Sequence, residues 1–412
     1  MPRSLTPPSP TPQVRRATLA VYTVFILSGF AFASWAARIP QVRDALELSP
    51  RGLGLVLLAT AIGSVVSMPL AGVVVARLGP ARTVAVTSVI AAVGVATAAF
   101  GYRIGVGPVV VGLFLLGAGL GTWDVAMNVE GSAVEQRLGR AIMPRFHAGF
   151  SVGTVVGAAI GSALVALGIS VRAHLIVVAG LVALIAPLAV RWFLAAPAQR
   201  EEDDRPHAPL RAWTEPRTLL VGVFVFAAAF TEGTGNDWLG VAMIDGYGAP
   251  AALGSLTFAI FLAAMTLGRW FGPALIDRRG RTTTVRMLGV VALAGLALVV
   301  LGGSLAVAMV GAALWGLGTS LGFPVGMSAA GDDPRHAAGR VSVVATIGYV
   351  AFLAGPPLIG FLGQEVGTLK ALTVTGGLVA LGLLVSGAVR PLPVAAPDVP
   401  VGAGLRDVES SA

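Results

Sequence analysis

A carboxylate and an amide stand inside one of the most apolar runs of this 412-residue chain. The run, GAGLGTWDVAMNVEG over residues 117–131, carries Asp124, Asn128 and Glu130. Wound as a helix, it sets Gly117, Gly121, Asp124, Asn128 and Gly131 at steps of four, three, four and three. That is one narrow stripe of small and polar side chains. Its glycines admit a second helix closely, and its polar pair faces whatever lies beside it. An ionisable group is costly to embed in lipid and points to function. A carboxyl group that alternates between dry and wet surroundings can bind and release a proton. A second embedded acid, Glu232, lies in FTEGTGNDWLG. Asp124 and Glu232 are therefore the expected proton-coupling residues. The structural alternative is that Asp124 only glues its helix to Asn128 or to a neighbour. Glu130 and Asp237 fall nearer the ends of their apolar runs, where acids reach water, and are read as structural.

The elements that must hold these groups are membrane helices. The chain is 56% hydrophobic and 12% charged, with a mean hydropathy of +0.85. Soluble proteins carry roughly 25% charged residues, so lipid must cover what water does not. The 54 glycines, lying in apolar segments, read as close helix packing. The net charge of +8 is spread between apolar runs and forms no patch for nucleic acid. With no cysteine, disulfides, iron–sulfur clusters and thiol catalysis are excluded. The four histidines (147, 174, 207 and 336) are scattered, so no metal site and no cofactor is expected. No nucleophile–base constellation suggests an enzyme. The strings GAGLGT and GLGTSLG lie within apolar runs instead of following a strand, and no Walker A motif occurs. Transport, if that is the task, is then secondary and not ATP-driven.

Twelve apolar stretches have about the 20 residues a bilayer core requires: 17–37, 53–76, 84–100, 108–130, 146–168, 174–194, 217–240, 253–276, 285–303, 305–328, 341–363 and 369–390. The first has the basic flank and Ala31-Phe32-Ala33 of a signal peptide, but the repeat described next needs it as a helix. Residues 1–16, proline-rich and basic, read as a disordered leader; 195–216, with Glu201 to Asp204 and four prolines, as a linker; 391–412 as a tail. The two six-helix bundles are then 17–194 and 217–390. With the N-terminus inside, 20 arginines fall on the cytoplasmic side, against six basic residues outside. The positive-inside rule thus places both termini in the cytoplasm and the chain in a plasma (inner) membrane as a multi-pass protein.

The halves repeat. Trp35 matches Trp238 at an offset of 203, and Gly72 matches Gly272 at 200. Gly112, Gly117 and Gly119 match Gly311, Gly316 and Gly318 at 199; Arg145 and Gly153 match Arg340 and Gly348 at 195. Parallel repeats of six spans put a substrate site near the midplane between the halves. The repeat sets Phe323 and Met327 opposite Asp124 and Asn128, or one place away, so the polar pair belongs to one half only.

The loop Gly272-Pro-Ala-Leu-Ile-Asp277-Arg278-Arg279-Gly280-Arg281 resembles the inner-loop signature of the major facilitator superfamily. The first-half copy keeps Gly72, Arg77, Gly79 and Arg82 but has Ala76 where the pattern places aspartate. The resemblance implies an all-α membrane fold of twelve transmembrane helices in two pseudo-symmetric bundles. It also implies a cytoplasmic gate built from Arg77, Arg82, Asp277, Arg278 and Arg281, with the second half carrying the acid. TWDVAMN, Arg145-Phe-His147 and GYVAFLAGPPLIGF (348–361) are similar to the sugar-permease-like branch that includes fucose–proton symporters. There the helix-4 carboxylate corresponds to Asp124, whereas helix 1 here lacks the acid of the fucose pattern. The helix-5 Gly-Pro signature and the helix-4 arginine of drug–proton antiporters are missing. Asn128, Asn236, Trp35, Trp238 and Tyr349 are the candidate substrate ligands. Arg269 reads as a structural partner for an inner acid, and His147 as a helix-start residue. The expectation is a monomeric, proton-coupled carrier of a small polar, sugar-like solute whose partners are solute, protons and the bilayer. A proton-coupled exporter of amphipathic compounds is the alternative; a non-transporting membrane sensor is a remote one, since the linker is too short for an output domain.

Overall fold

The computed structural model describes residues 11–138, 142–194, 211–333 and 336–392. Among them, every regular element is helical. Span 1 is Pro12–Ala36, followed by a short surface helix, Ile39–Ala45. The helix Pro50–Gly101 covers 52 residues, but Gly79 inside it has φ 76° and ψ 160°. That backbone breaks the helix into spans 2 and 3, because φ in this range is open chiefly to glycine. Spans 4 to 6 are Val106–Leu138, Met143–Ala166 and Val171–Ala189. Spans 7 to 9 are Pro216–Tyr247, Ala251–Arg279 and Arg281–Leu301. Span 10 is interrupted, Leu305–Thr319 then Gly322–Ala330. Span 11 is Ala337–Val366, and span 12 runs through Thr368–Ala371 and Thr373–Val385. Eleven continuous segments are long and apolar enough to cross a bilayer; the break at Gly79 divides one of them, giving twelve spans.

An even number of crossings returns both ends to one side, here called the terminal face; the other is the distal face. The two bundles are built alike. Gly280 repeats the backbone of Gly79, with φ 78° and ψ 161°. Thr83 and Thr284 each donate to the carbonyl of that glycine at 2.8 Å. In span 4, a Cβ on Gly112 would meet Gly94 and Ala98 of span 3; on Gly311 it would meet Gly295 and Val299 of span 9. Gly117 lies against Thr60 of span 2 as Gly316 lies against Phe261 of span 8, with the carbonyl oxygen the first atom a Cβ would strike in both. The glycine repeat is thus a set of equivalent backbone approaches.

Several expected boundaries move. The leader placed at 1–16 is helical from Pro12, because the Thr11 side chain accepts from Val14 N and proline fits the first turn. Residues 1–10, 195–210 of the linker and 393–412 of the tail lie outside the described residues. Span 4 runs eight residues beyond the expected 130. Its acids explain the extension: Glu130 accepts from Leu194 N at 2.6 Å, and Glu135 accepts from Ile142 N and Met143 N at 2.6 and 2.8 Å. These bonds staple the end of span 4 to the end of span 6 and the start of span 5, satisfying amides that helix ends leave free. Asp124 is consequently central in its helix, 14 residues or about 21 Å from the terminal end at 1.5 Å per residue.

Candidate functional site

Three side-chain groups converge between the bundles. On span 4, Asn128 Nδ2 donates to the Asp124 carbonyl at 2.8 Å and to Asp124 Oδ1 at 3.2 Å. This fixes the amide and leaves Asp124 without any ion-pair partner among the described residues. Both side chains are half-buried. Across the gap, Tyr349 of span 11 is an electrostatic neighbour of Asp124. On the second bundle, Arg269 Nη2 of span 8 reaches both carboxylate oxygens of Glu232 at 2.8 Å. Arg269 Nε donates to the Ser320 carbonyl at 3.2 Å, an oxygen at the interruption of span 10. The guanidinium thus ties spans 7, 8 and 10 together, and His147 of span 5 faces its charge from the first bundle. His147 itself is exposed and stands edge-on to Phe25, ring centroids 5.2 Å apart.

Every hydrogen bond and ion pair joining the two bundles, among the described residues, lies in the distal half. Arg43 Nη1 meets Asp245 Oδ1 at 2.6 Å, and within the second bundle Thr368 Oγ1 steadies that acid by donating to its other oxygen at 2.9 Å. Ser255 Oγ donates to the Ala37 carbonyl at 2.9 Å, and Ser162 Oγ to the Ala252 carbonyl at 3.1 Å. Gly54 and Gly360 let spans 2 and 11 touch backbone to backbone: a Cβ on Gly360 would sit 2.6 Å from the Pro50 oxygen, and one on Gly54 2.5 Å from that of Pro356. The two bundles thus meet through polar and backbone contacts on the distal side.

The Major Facilitator Superfamily pattern matches residues 21–351, most of the chain. The chain belongs to the Major Facilitator Superfamily. An uncharacterised transporter of that type from Yersinia pestis is 31% identical over 365 residues, covering 87% of this chain and 91% of the relative. A single-site mutant of the nucleoside transporter NupG superposes with a TM-score of 0.74 at 16% identity, over 90% of this chain and 99% of that one. The facilitator FucP in its outward conformation gives 0.63 at 18% identity, over 90% and 98%. At such identities these likenesses speak for the fold, and the twelve-span architecture of a multi-pass membrane protein is secure.

Within this facilitator, the expected residues separate into groups. Asp124, Asn128, Tyr349 and Glu232 are half-buried in their spans. Asn236 lines a separate small cavity between the bundles with Asp237, nearer the distal face. Trp35 and Trp238 are 3% and 0% exposed, packed into the bundles. Arg77, Arg82, Asp277 and Arg278 are exposed on the terminal face and form no ion pair among the described residues. Arg281 instead pairs with Asp332 at 2.8 Å, which Arg217 also holds at 2.8 Å. Two functional features escaped sequence reading. Arg269 was read as a partner for some acid, but only the fold shows that the acid is Glu232. The Arg43–Asp245 pair, 202 positions apart, left no local signal at all.

Proposed function

We propose that this facilitator is a proton-coupled carrier of a small polar, sugar-like solute, working by alternating access. The observation that carries the reading is Asp124: a half-buried carboxylate held by Asn128 with no cation beside it, facing Tyr349 across the gap between the bundles. Such a group is stable when protonated or when water reaches it, and the rocking of two halves supplies those two conditions in turn. Glu232 is the second coupling acid; Arg269 holds it in the present state, and neutralising it would free the guanidinium. Asn128 and Tyr349 offer the hydrogen bonds a hydroxylated solute needs, and Asn236, Trp35 and Trp238 come within reach only if the bundles part distally.

The distribution of arginines supports cytoplasmic termini and a plasma-membrane setting. The distal face is then extracellular, and Arg77, Arg82, Asp277, Arg278 and Arg281 would close the cytoplasmic side in the opposite state. A single chain holds the whole site, in keeping with a monomer. Sugars, polyols and nucleosides, screened by thermal stabilisation, would supply the solute. In proteoliposomes its uptake should respond to an inward proton gradient. Asp124→Asn should abolish that response while leaving counterflow exchange. Retention of proton-driven uptake in the mutant would remove Asp124 from the mechanism.

A further inference from the structure

Among the distal contacts lies a small cavity of about 10 Å³, room for one water-sized guest, with Asp237 half-buried at its wall. The first bundle contributes Ala36, Ala37 and Pro40, and the second contributes Asn236, Asp237 and Ser255. Asp237 makes no hydrogen bond or ion pair among the described residues, and it is the one ionisable group in the lining. Asn236 Oδ1 is buried without a partner. Ser255 donates its proton across the interface to Ala37, so its oxygen can only accept. The charged residues on the surrounding elements make no hydrogen bond or ion pair to Asp237 among the described residues. Arg38 donates through Nε to His174 Nδ1 and keeps a buried Nη2 unpaired, Arg43 holds Asp44 and Asp245, and Glu232 holds Arg269. An ionised carboxylate here would be half-buried with no ion pair or protein hydrogen bond among the described residues, an arrangement proteins relieve by neutralising the group. A carboxylic acid, by contrast, supplies the O–H that two acceptors lack.

We propose that Asp237 is a proton-binding site whose occupancy is a condition of closing the distal seal. As the bundles close, the Asp237 carboxylate takes one proton from the distal solution. When they part, the cavity floods and the proton returns to the same solution. In this scheme the proton enters and leaves by the distal solution, so it is not carried across. It sets the pH dependence of the seal, not the stoichiometry of transport. The inference rests on alternating access but is independent of the role assigned to Asp124.

The chain has no cysteine, so a single Ser162→Cys reports the seal: Ser162 is 7% exposed and lies on the distal interface. Labelling of this cysteine by a membrane-impermeant maleimide is measured from about pH 5 to about pH 9, with Asp237 and with Asp237→Asn. Dividing the two rates cancels the reagent's own pH dependence. One proton bound in the closed state and absent in the open one makes the ratio rise with pH by up to about tenfold per unit. Asp124→Asn should leave that rise intact, which separates this inference from the coupling assignment. If D237N does not reach the membrane, Asp237→Ser, smaller and also neutral, carries the same expectation. A ratio flat with pH would overturn the proposal. So would a ratio that follows sodium at constant pH and ionic strength, which would make the guest a metal cation.

Discussion

Among the described residues the distal seal has one charge pair between the bundles, and its removal makes a quantitative prediction. In Asp245→Asn the side chain keeps its shape while the charge is lost. Arg43 Nη1 approaches Asp245 Oδ1 at 2.6 Å, and the two side chains are 11% and 30% exposed. A hydrogen bond to a charged group contributes roughly 1.5–3 kcal/mol when well shielded, but exposed ion pairs contribute roughly 0–1. Two features place this pair toward the lower part of that span: the exposure of Asp245, and Asp44, which still holds the other Arg43 terminal nitrogen at 2.7 Å. The asparagine also keeps an acceptor for Arg43 and for Thr368. A loss of about 1 kcal/mol follows, which shifts the closed-to-open ratio about fivefold toward the distal-open state. Because the pair spans the bundles, the shift belongs to the conformational equilibrium and not to the folding of either half. Ser162→Cys labelling at fixed pH reads it directly, and distances between spin labels on Ala252→Cys and Ser162→Cys give a second measure. An unchanged labelling rate, with the pair known to be broken, would show that backbone contact between spans 2 and 11 closes the seal without help from charge.

Other consequences can be checked alongside. Gly117→Val should lower the melting temperature sharply, because its Cβ would strike the Thr60 carbonyl, whereas Gly72→Ala, with nothing within 4 Å, should leave it unchanged. Arg269→Met leaves Glu232 without its cation and should destabilise the protein by about 2 kcal/mol, below the 3–5 of a fully buried pair because both groups are partly exposed. Adding Glu232→Gln to it should recover part of the loss, and strict additivity in that cycle would refute a direct interaction. At the terminal face, the hydrogen bond from Arg340 holds the Glu215 carboxyl below its ordinary range. The stabilisation this gives is complete above the ordinary value of about 4.3 and is lost as pH falls through the lowered folded value. Glu215→Gln should therefore lower the melting temperature at neutral pH, where the stabilisation is complete, and converge with the unmutated protein in acid, so that the acid limb of the profile flattens.

What the sequence reveals follows from how locally each feature is encoded. Spans are local: 20 apolar residues demand a helix wherever they fall, so twelve were legible even where one helix appears to run unbroken for 52 residues. The repeat was legible because close approach needs glycine, and glycine is visible: Gly112 and Gly311 face equivalent backbones in the two bundles. Pairing between distant charges has no such mark. Arginine at positions 43, 269 and 281 reads alike, yet one seals the bundles together, one holds an embedded acid and one braces the terminal face. Aromatic residues mislead for a related reason. Tryptophan is as useful for filling a bundle as for stacking on a solute, and burial of Trp35 and Trp238 turns on neighbours the sequence does not name.

The polar pair of span 4 differs from both cases. Its glycine companions have counterparts in span 10 that do the same packing, so the scaffold accounts for them. Where symmetry would set Asp124 and Asn128 again, span 10 has Phe323 and Met327, just past an interruption at Ser320 and Leu321 whose Ser320 carbonyl accepts from Arg269. The two halves thus present unlike chemistry at the same depth: a carboxylate without a cation on one side, an acid already neutralised by arginine on the other. A carrier built from two equal bundles needs such an inequality to give its solute one orientation and its proton one preferred seat, and positions where a repeat fails in polar residues while holding in glycines are where that inequality is written.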